Sequence, residues 1–381
     1  MVKSLLVTLD YPPQVGGVAV YYEHLVKEFP NGDVLVLTVD KINGEKIPEQ
    51  DGIIRRRLLF KSKLFWPKWL PLLWQIFKIV RQNKIKMIQV GQILPVGTAV
   101  FILNKFFKIP YMVYCHGMDV MTAAQCPRKK RLARKILKKA EFIAANSEFT
   151  KEKILEYGVR AQDVAVVYPC PNMKLFREVM HQEIDALKSK YNLRGKKIIL
   201  TAGRLVERKG HDVVLGALHK LKESVPEAHY AIIGEGPMEG IIKQMIKTLG
   251  LDDSVTLIGK VSDYDLAAWY EVCDVFVMIS RQLKNEDAEG FGIVYLEANM
   301  FGKPVIAGKS GGSGEAVLDN ETGILVEPTN SHEILSAMEK LLKNPEEAKR
   351  LGENGKKRVE EEFQWEKQAG HLLKRFETIN R

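Results

Sequence analysis

A short apolar run, a glycine loop and an amphipathic helix open the chain, and the same order returns near residue 198. Leu5-Leu6-Val7-Thr8-Leu9 reads as a short buried strand. Asp10-Tyr11-Pro12-Pro13-Gln14-Val15-Gly16-Gly17 is a loop by its prolines and glycines. Val18, Tyr21, Tyr22, Leu25, Val26 and Phe29 then recur at helical spacing. Strand, Gly-Gly loop, helix is the opening of a doubly wound α/β domain, which binds ligands at loops past the C-terminal ends of its strands. In the second half, Ile198 to Gly203 leads through Arg204-Leu205-Val206-Glu207-Arg208-Lys209-Gly210 into a helix from Asp212 to Glu223. The chain is therefore expected to hold two α/β domains. The proline-rich Pro169-Cys170-Pro171-Asn172 marks the boundary, giving domains 1–170 and 171–364. A last helix, at about 365–381, can leave the second domain and pack back on the first.

The 381 residues suffice for two cores, and 46% hydrophobic with 27% charged residues is the balance of a globular protein. Charge is unevenly placed. Residues 1–170 hold 27 Lys/Arg against 14 Asp/Glu, and the remainder 30 against 33, so the first half is the one expected to meet something anionic. From Arg55 to Lys139 there are 20 basic residues and a single acid, Asp119. Three of the five tryptophans (Trp66, Trp69 and Trp74) fall among the cations of Arg55–Lys86, and Arg128–Lys139 forms a second cationic amphipathic helix. Such segments suit docking to an anionic membrane surface; the same composition also suits a core helix with a basic face, or single-stranded nucleic acid. Cys115, Cys126, Cys170 and Cys273 are scattered, which predicts reduced thiols in a cytoplasmic setting and no zinc site. The start of the chain is too soon interrupted by Asp10 for a signal peptide, and no apolar run approaches a membrane span.

The densest chemistry lies in Ala288-Glu289-Gly290-Phe291-Gly292-Ile293-Val294-Tyr295-Leu296-Glu297-Ala298, where two carboxylates stand eight residues apart around a Gly-Phe-Gly turn. The free N–H groups of a helix beginning near Gly292 and Ile293 favour an anion. Carboxylates on either side of an anion suit hydroxyl groups, as in a sugar–phosphate–sugar molecule. Arg204 and Lys209 leave a strand end five residues apart and suit a diphosphate, Arg as a fork and Lys as a point charge. Gly308-Lys309-Ser310-Gly311-Gly312-Ser313-Gly314 can form a nest of N–H groups. His116 falls just past the strand Tyr111–Cys115, where open α/β sheets bind ligand. Asp263 and Asp265 have metal-pair spacing, but Ser262 with Asp265 also has capping-box spacing, and that reading is preferred.

In this order, Gly203-Arg204-Leu205 through Lys209-Gly210, Ile233-Gly234-Glu235-Gly236-Pro237, Glu289-Gly-Phe-Gly through Glu297-Ala298, Ser310-Gly-Gly and Thr322-Gly323 resemble the family-4 retaining glycosyltransferases. Asp10-Tyr11-Pro12-Pro13, Gly16-Gly17 and His116-Gly117 agree with it. The likeness is most specific in residues 200–326 and, within the family, points toward phosphatidylinositol-mannoside mannosyltransferases. It implies a GT-B fold: two Rossmann-like doubly wound domains facing a central cleft, the first taking the acceptor and the second the nucleotide sugar.

The resemblance also implies roles. Arg204 and Lys209 grip the donor diphosphate, and Glu289 binds hydroxyls of the transferred sugar. Phe291, Gly292 and Ile293 bring main-chain N–H groups to sugar and phosphate. Glu297 takes the ribose hydroxyls, and Lys260–Val261 lies near the base. Gly16–Gly17 admits phosphate and acceptor, and His116 meets the donor sugar near the reacting carbon. The implied catalytic set is His116, Arg204, Lys209 and Glu289, with no metal and no cofactor beyond the nucleotide sugar. The best expectation is transfer of mannose from GDP-mannose to a membrane-lipid or lipid-linked acceptor, at the inner face of the cell membrane. A UDP-sugar donor with a polysaccharide or soluble acceptor is the alternative. A same-fold epimerase or phosphorylase is a further possibility, separable by product analysis. A nucleic-acid-binding α/β protein is remote, because it leaves Arg204, Lys209, Glu289 and Glu297 unexplained.

Overall fold

The computed structural model describes residues 3–14, 16–42, 44–60, 67–284 and 287–379. The chain forms two compact units, Met1–Pro169 with Trp365–Arg381, and Cys170–Gln364. The strands of the first unit are β1 (Ser4–Val7), β2 (Val34–Val39), β3 (Lys41–Ile42), β4 (Glu45–Lys46), β5 (Ile53–Arg56), β6 (Met87–Val90), β7 (Tyr111–Cys115), β8 (Ile143–Ala145) and β9 (Val164–Val166). Seven make one sheet in the order β5-β2-β1-β6-β7-β8-β9, paired in parallel throughout, while β3 and β4 form a small antiparallel hairpin. The central strands are buried on both faces because helices cover both, which is why their sequences read as unbroken apolar runs.

The order reverses beside β1, so the loops that follow β1 and β6 share one edge of the sheet. Gln92 links them: its Nε2 donates to Asp10 Oδ2 (2.8 Å) and Thr8 Oγ1 (2.9 Å), and its Oε1 accepts from the Leu9 amide (3.1 Å). The first strand is shorter than its apolar run, because Thr8 turns the chain by accepting from the Asp10 amide (3.0 Å). The last helix, Trp365–Ile379, belongs to this first unit. Its Trp365 indole stacks on His24 (5.2 Å), Phe376 meets Phe29 and Phe142 edge-on, and Gln368 accepts from the Tyr168 amide (3.0 Å).

The second unit is a six-stranded parallel sheet of β10 (Lys197–Ala202), β11 (Ala228–Ile233), β12 (Val255–Gly259), β13 (Val275–Met278), β14 (Val305–Gly308) and β15 (Gly323–Val326). Its order is β12-β11-β10-β13-β14-β15. Helices such as His211–Leu221 are held by packing: Val214, Leu215, Leu218 and Leu221 are fully buried, at about 1.5–3 kcal/mol each. Here the order reverses between β10 and β13. That topology sets the loop after β10, residues 203–210, beside the loop after β13, residues 279–292, at the edge where doubly wound sheets bind ligands. Ser262 caps the helix Asp263–Val272 by accepting from the Asp265 amide (3.1 Å), which accounts for the Asp263/Asp265 spacing.

One sequence expectation is corrected by the fold. Arg55 was grouped with a membrane-facing segment, but it lies in β5, paired in register with Thr38, and is 4% exposed. Its Nη2 donates to the Pro12 carbonyl (2.6 Å) beneath the β1 loop. Residues 61–66 of the same segment, Phe65 and Trp66 among them, lie outside the described residues.

Candidate active site

Glu289 is the pivot of the second unit's loop pair. Its side chain is buried, and one oxygen, Oε2, accepts from Lys209 Nζ (2.5 Å), Arg208 Nη1 (2.8 Å) and Ser280 Oγ (3.2 Å). Burial alone would raise its pKa, but Lys209 and Arg208 reverse that and hold it at about 2. The cations reach it because Glu207–Lys209 forms one turn of 3₁₀ helix, which brings Arg208 and Lys209 to the same carboxylate. The loops are tied by the Arg281 amide, which donates to the Arg208 carbonyl (2.8 Å), and by the Arg281–Asp212 ion pair (2.9 Å). Arg208 also pairs with Asp287 (3.4 Å).

The helix Ile293–Met300 begins at Gly292, which sits in the left-handed region (φ 94°). A side chain there would be strained and would overlap the Tyr295 ring. The first-turn N–H groups of this helix are therefore presented at the loop. One turn in, Glu297 is also buried, yet its partners are neutral: the Tyr270 phenol donates to Oε2 (2.9 Å) and the Asn172 amide donates to the carboxylate. Burial raises its pKa to about 7.

The glycine loop after β14 packs directly on this site. The Gly312 amide donates to the Glu289 carbonyl (2.9 Å), and Gly311 (φ 55°) lies so close to that carbonyl that a Cβ would collide with it. Ser310 Oγ is buried, with no hydrogen-bond partner among the described residues. A fixed cation pair, helix N–H groups and an unpaired hydroxyl together make a site for a polyanion, with carboxylates on two sides for hydroxyls.

In the first unit, His116 lies past β7 beside Tyr21 and Tyr22, whose rings meet it edge-on at 5.1 and 5.3 Å. Burial lowers its pKa to about 4, so it is neutral at physiological pH. Tyr22 gives its single proton to the Gly91 carbonyl (2.6 Å) while standing 2.8 Å from His116 Nε2. This assigns the ring proton to Nε2 and makes Nδ1 the acceptor nitrogen. Asp119 accepts from the His116 amide (2.9 Å), and its pKa is pushed up by burial to about 6. Gly16 and Gly17 are exposed at the start of the helix Gly17–Lys27.

The predicted residues thus divide. Lys209 and Glu289 are brought into direct contact, and Gly292, Ile293 and Glu297 lie on the helix that leaves the same loop. Arg204 is exposed at the start of the neighbouring loop, and Lys260 and Val261 lie between β12 and the helix Asp263–Val272, the first exposed and the second half-buried. The Phe291 side chain is buried, with its ring 5.8 Å from Phe363, so only its main chain serves the loop. Sequence reading missed Arg208, Ser280, Tyr270, Tyr22 and Gln92. Arg208 stands next to Lys209 and was open to notice; the others carry no local signal, because sheet order brings them into place.

A family model described as Glycosyltransferase Family 4 matches residues 15–173, and one described as Glycosyl transferases group 1 matches residues 183–358. The chain is 28% identical over 372 residues, 97% of its length and 96% of the relative's, to the GDP-mannose-dependent alpha-(1-6)-phosphatidylinositol monomannoside mannosyltransferase of Mycolicibacterium smegmatis. It is 25% identical to the monoacylated-substrate mannosyltransferase of the same type from Corynebacterium glutamicum, over 96% of this chain and 95% of that one. Among solved structures, HepE from Anabaena with UDP and glucose superposes with a TM-score of 0.82 at 18% identity, covering 99% of this chain and all of that one. A sucrose-phosphate synthase from Thermosynechococcus elongatus gives 0.82 at 23% identity, covering 100% and 99%. The structural likenesses are ones of fold. With the two family models leaving only residues 1–14, 174–182 and 359–381 unmatched, and with two parallel α/β units of this topology, the chain belongs to the family 4/group 1 glycosyltransferases of GT-B fold and is a hexosyltransferase.

Proposed function

We propose that the protein is a retaining mannosyltransferase that moves mannose from GDP-mannose to a hydroxyl of a membrane lipid or lipid-linked glycan. The observation that carries the transfer chemistry is the Glu289 carboxylate held by Arg208 and Lys209 beside the Gly311-Gly312 backbone. Lys209, Arg204 and the N–H groups at Gly292 and Ile293 take the diphosphate and stabilise the charge that grows on it as the glycosidic bond breaks; this preorganised field needs no metal. Glu289, ionised by its cations, binds hydroxyls of the transferred sugar rather than attacking it. Glu297 holds the ribose, and Lys260 and Val261 flank the base. The leaving phosphate takes the acceptor proton on the same face, which retains the anomeric configuration. In the first unit, neutral His116 keeps Nδ1 as an acceptor for a ligand hydroxyl, and Gly16 and Gly17 leave exposed main chain at the start of the helix Gly17–Lys27.

Full-length likeness to GDP-mannose-dependent lipid mannosyltransferases supports this donor and this acceptor class. One helical face of the first unit supports the membrane. The helices Leu70–Asn83, Val96–Phe107 and Pro127–Lys139 pack in sequence, and on the first two Trp74 and Phe106 are 62% and 71% exposed. Phe77 and Phe107 meet between them with tilted rings (4.8 Å, 38°), and Arg81 lies over Phe77 (5.4 Å). Pro127–Lys139 buries only Ala133, Ile136 and Leu137 and turns its cations outward. Aromatic tips ringed by Lys and Arg suit the headgroup layer of an anionic bilayer. Among the described residues no helix is long and apolar enough to cross a membrane. Incubation with labelled GDP-mannose and phosphatidylinositol-mannoside vesicles is expected to give an organic-extractable labelled product of retained configuration. Label transferred only from UDP-sugars, or only to water-soluble acceptors, would replace this donor and acceptor.

A further inference from the structure

The two buried glutamates differ in one respect that the shared motif conceals. Glu289 is ionised by two cations, whereas the donors on Glu297 are a phenol and a main-chain amide. A buried carboxylate with neutral partners keeps its charge only as far as its hydrogen bonds sustain it. Tyr270 is fully buried in the helix Asp263–Val272, its ring stacked on Phe301 (5.5 Å, 18°) and tilted against Phe276 (5.8 Å). The two rings fix the phenol so that its O–H meets Glu297 Oε2 at 2.9 Å. We propose that Tyr270 is a positioning residue: it orients and charges Glu297 for a vicinal diol, and so sets a preference for ribonucleotide over 2′-deoxyribonucleotide donors.

This rests on the assignment of Glu297 to the ribose. The chemistry is one of donor and acceptor counts. An ionised carboxylate only accepts hydrogen bonds, and O2′ and O3′ of a ribose supply two donors. With Oε2 engaged by Tyr270 and a further position by the Asn172 amide, the carboxylate's remaining lone pairs are left for the two hydroxyls. A protonated carboxyl loses one acceptor position and matches the diol poorly, and a 2′-deoxyribose offers a single donor in any case. Tyr270 itself stays protonated, because burial holds its pKa far above the usual phenol value. The titratable groups acting on Glu297 are Tyr270 and Asp263, both on one helix. The helix Pro345–Glu362, packed on the other side, turns only Leu351, Gly352, Gly355 and Val359 inward. The Asn172 amide, in the first residues of the second unit, supplies the other support.

The test is calorimetric titration of the full chain with GDP, UDP and their 2′-deoxy counterparts, between pH 5.5 and 8.5, for wild type and Tyr270→Phe. In the wild type the ribonucleotide is expected to bind about tenfold more tightly than the deoxy form at pH 8, as one well-placed hydrogen bond allows. That preference is expected to fade below about pH 7, where Glu297 takes a proton. Tyr270→Phe should cut the preference to about threefold or less, move its onset to higher pH, and weaken the ribonucleotide more than the deoxynucleotide. In a Glu297→Gln background, Tyr270→Phe should add nothing, which separates a positioning role from damage to the fold. A Tyr270→Phe protein with an unchanged preference and pH onset overturns the proposal while leaving Glu297 on the ribose. A wild type that binds both nucleotides equally removes Glu297 from the ribose and the proposal with it.

Discussion

At the scale of single residues, Glu289 and Glu297 show how surroundings divide two identical side chains. Glu289 sits with Lys209 and Arg208 and keeps its charge down to a pH of about 2; its pairing stabilises the fold above the ordinary carboxylate range and fades as pH falls toward 2. Glu297 runs the other way. Its folded pKa of about 7 lies above the unfolded reference of 4.5, so stability is full below 4.5 and is lost as pH rises to 7. Glu297→Gln removes the buried charge and should therefore raise Tm at pH 8, by up to about 3 kcal/mol in stability, and change it little at pH 5. A melt at each pH checks this; equal shifts at both would contradict it. Lys209→Ala removes a cation from Glu289 and, on the proposed assignment, from the leaving diphosphate, and should lower kcat by about 100-fold or more in a steady-state transfer assay. Both glutamates, Lys209 and the Gly-Gly loop stand in the sequence at motif spacing. Arg208 stands beside Lys209 in the same loop, but Tyr270 has no such signal, because what matters is which carboxylate it meets, and sheet order decides that.

At the scale of elements, the glycine loops are fixed by close approach. Gly311→Ala must push against the Glu289 carbonyl in a left-handed backbone, so it should cost about 1–3 kcal/mol and weaken donor binding in the same protein, read by melt and titration together. The cationic helices make the second case. The segment from Arg55 to Lys86 looked like one membrane-facing stretch, because charge and tryptophan content are visible in a sequence while strand pairing is not. Pairing with β2 takes Arg55 into the sheet, and the exposed aromatic face is instead built by Trp74 with Phe106 of the next helix. Trp74→Ala with Phe106→Ala, or Lys138→Glu with Lys139→Glu, should release the protein from anionic vesicles in co-sedimentation with an unchanged melt. Arg55→Glu should instead unfold the first unit. Vesicle binding that survives both pairs of changes would remove this face from the membrane.

At the scale of the whole molecule, the two doubly wound units follow from strand–loop–helix runs that the sequence displays openly. The boundary lies at the Pro169–Cys170 junction, and Trp365–Ile379 returns to the first unit, where Trp365 meets His24 and Phe376 meets Phe29 and Phe142, contacts that no local pattern displays. What no local pattern carries is the order of the strands, and that order sets the 203–210 and 279–292 loops side by side. The site in the second unit is therefore partly legible, as motifs, and partly a product of topology, as contacts. The central claim is that Glu289, ionised by Arg208 and Lys209, holds the sugar being transferred. The most direct measurement is transfer of labelled mannose from GDP-mannose to phosphatidylinositol-mannoside acceptor by wild type and Glu289→Ala, with GDP binding titrated for both. The account predicts near-equal GDP affinity and a fall in transfer of about 100-fold or more for the variant; a Glu289→Ala protein that transfers at the wild-type rate would contradict it.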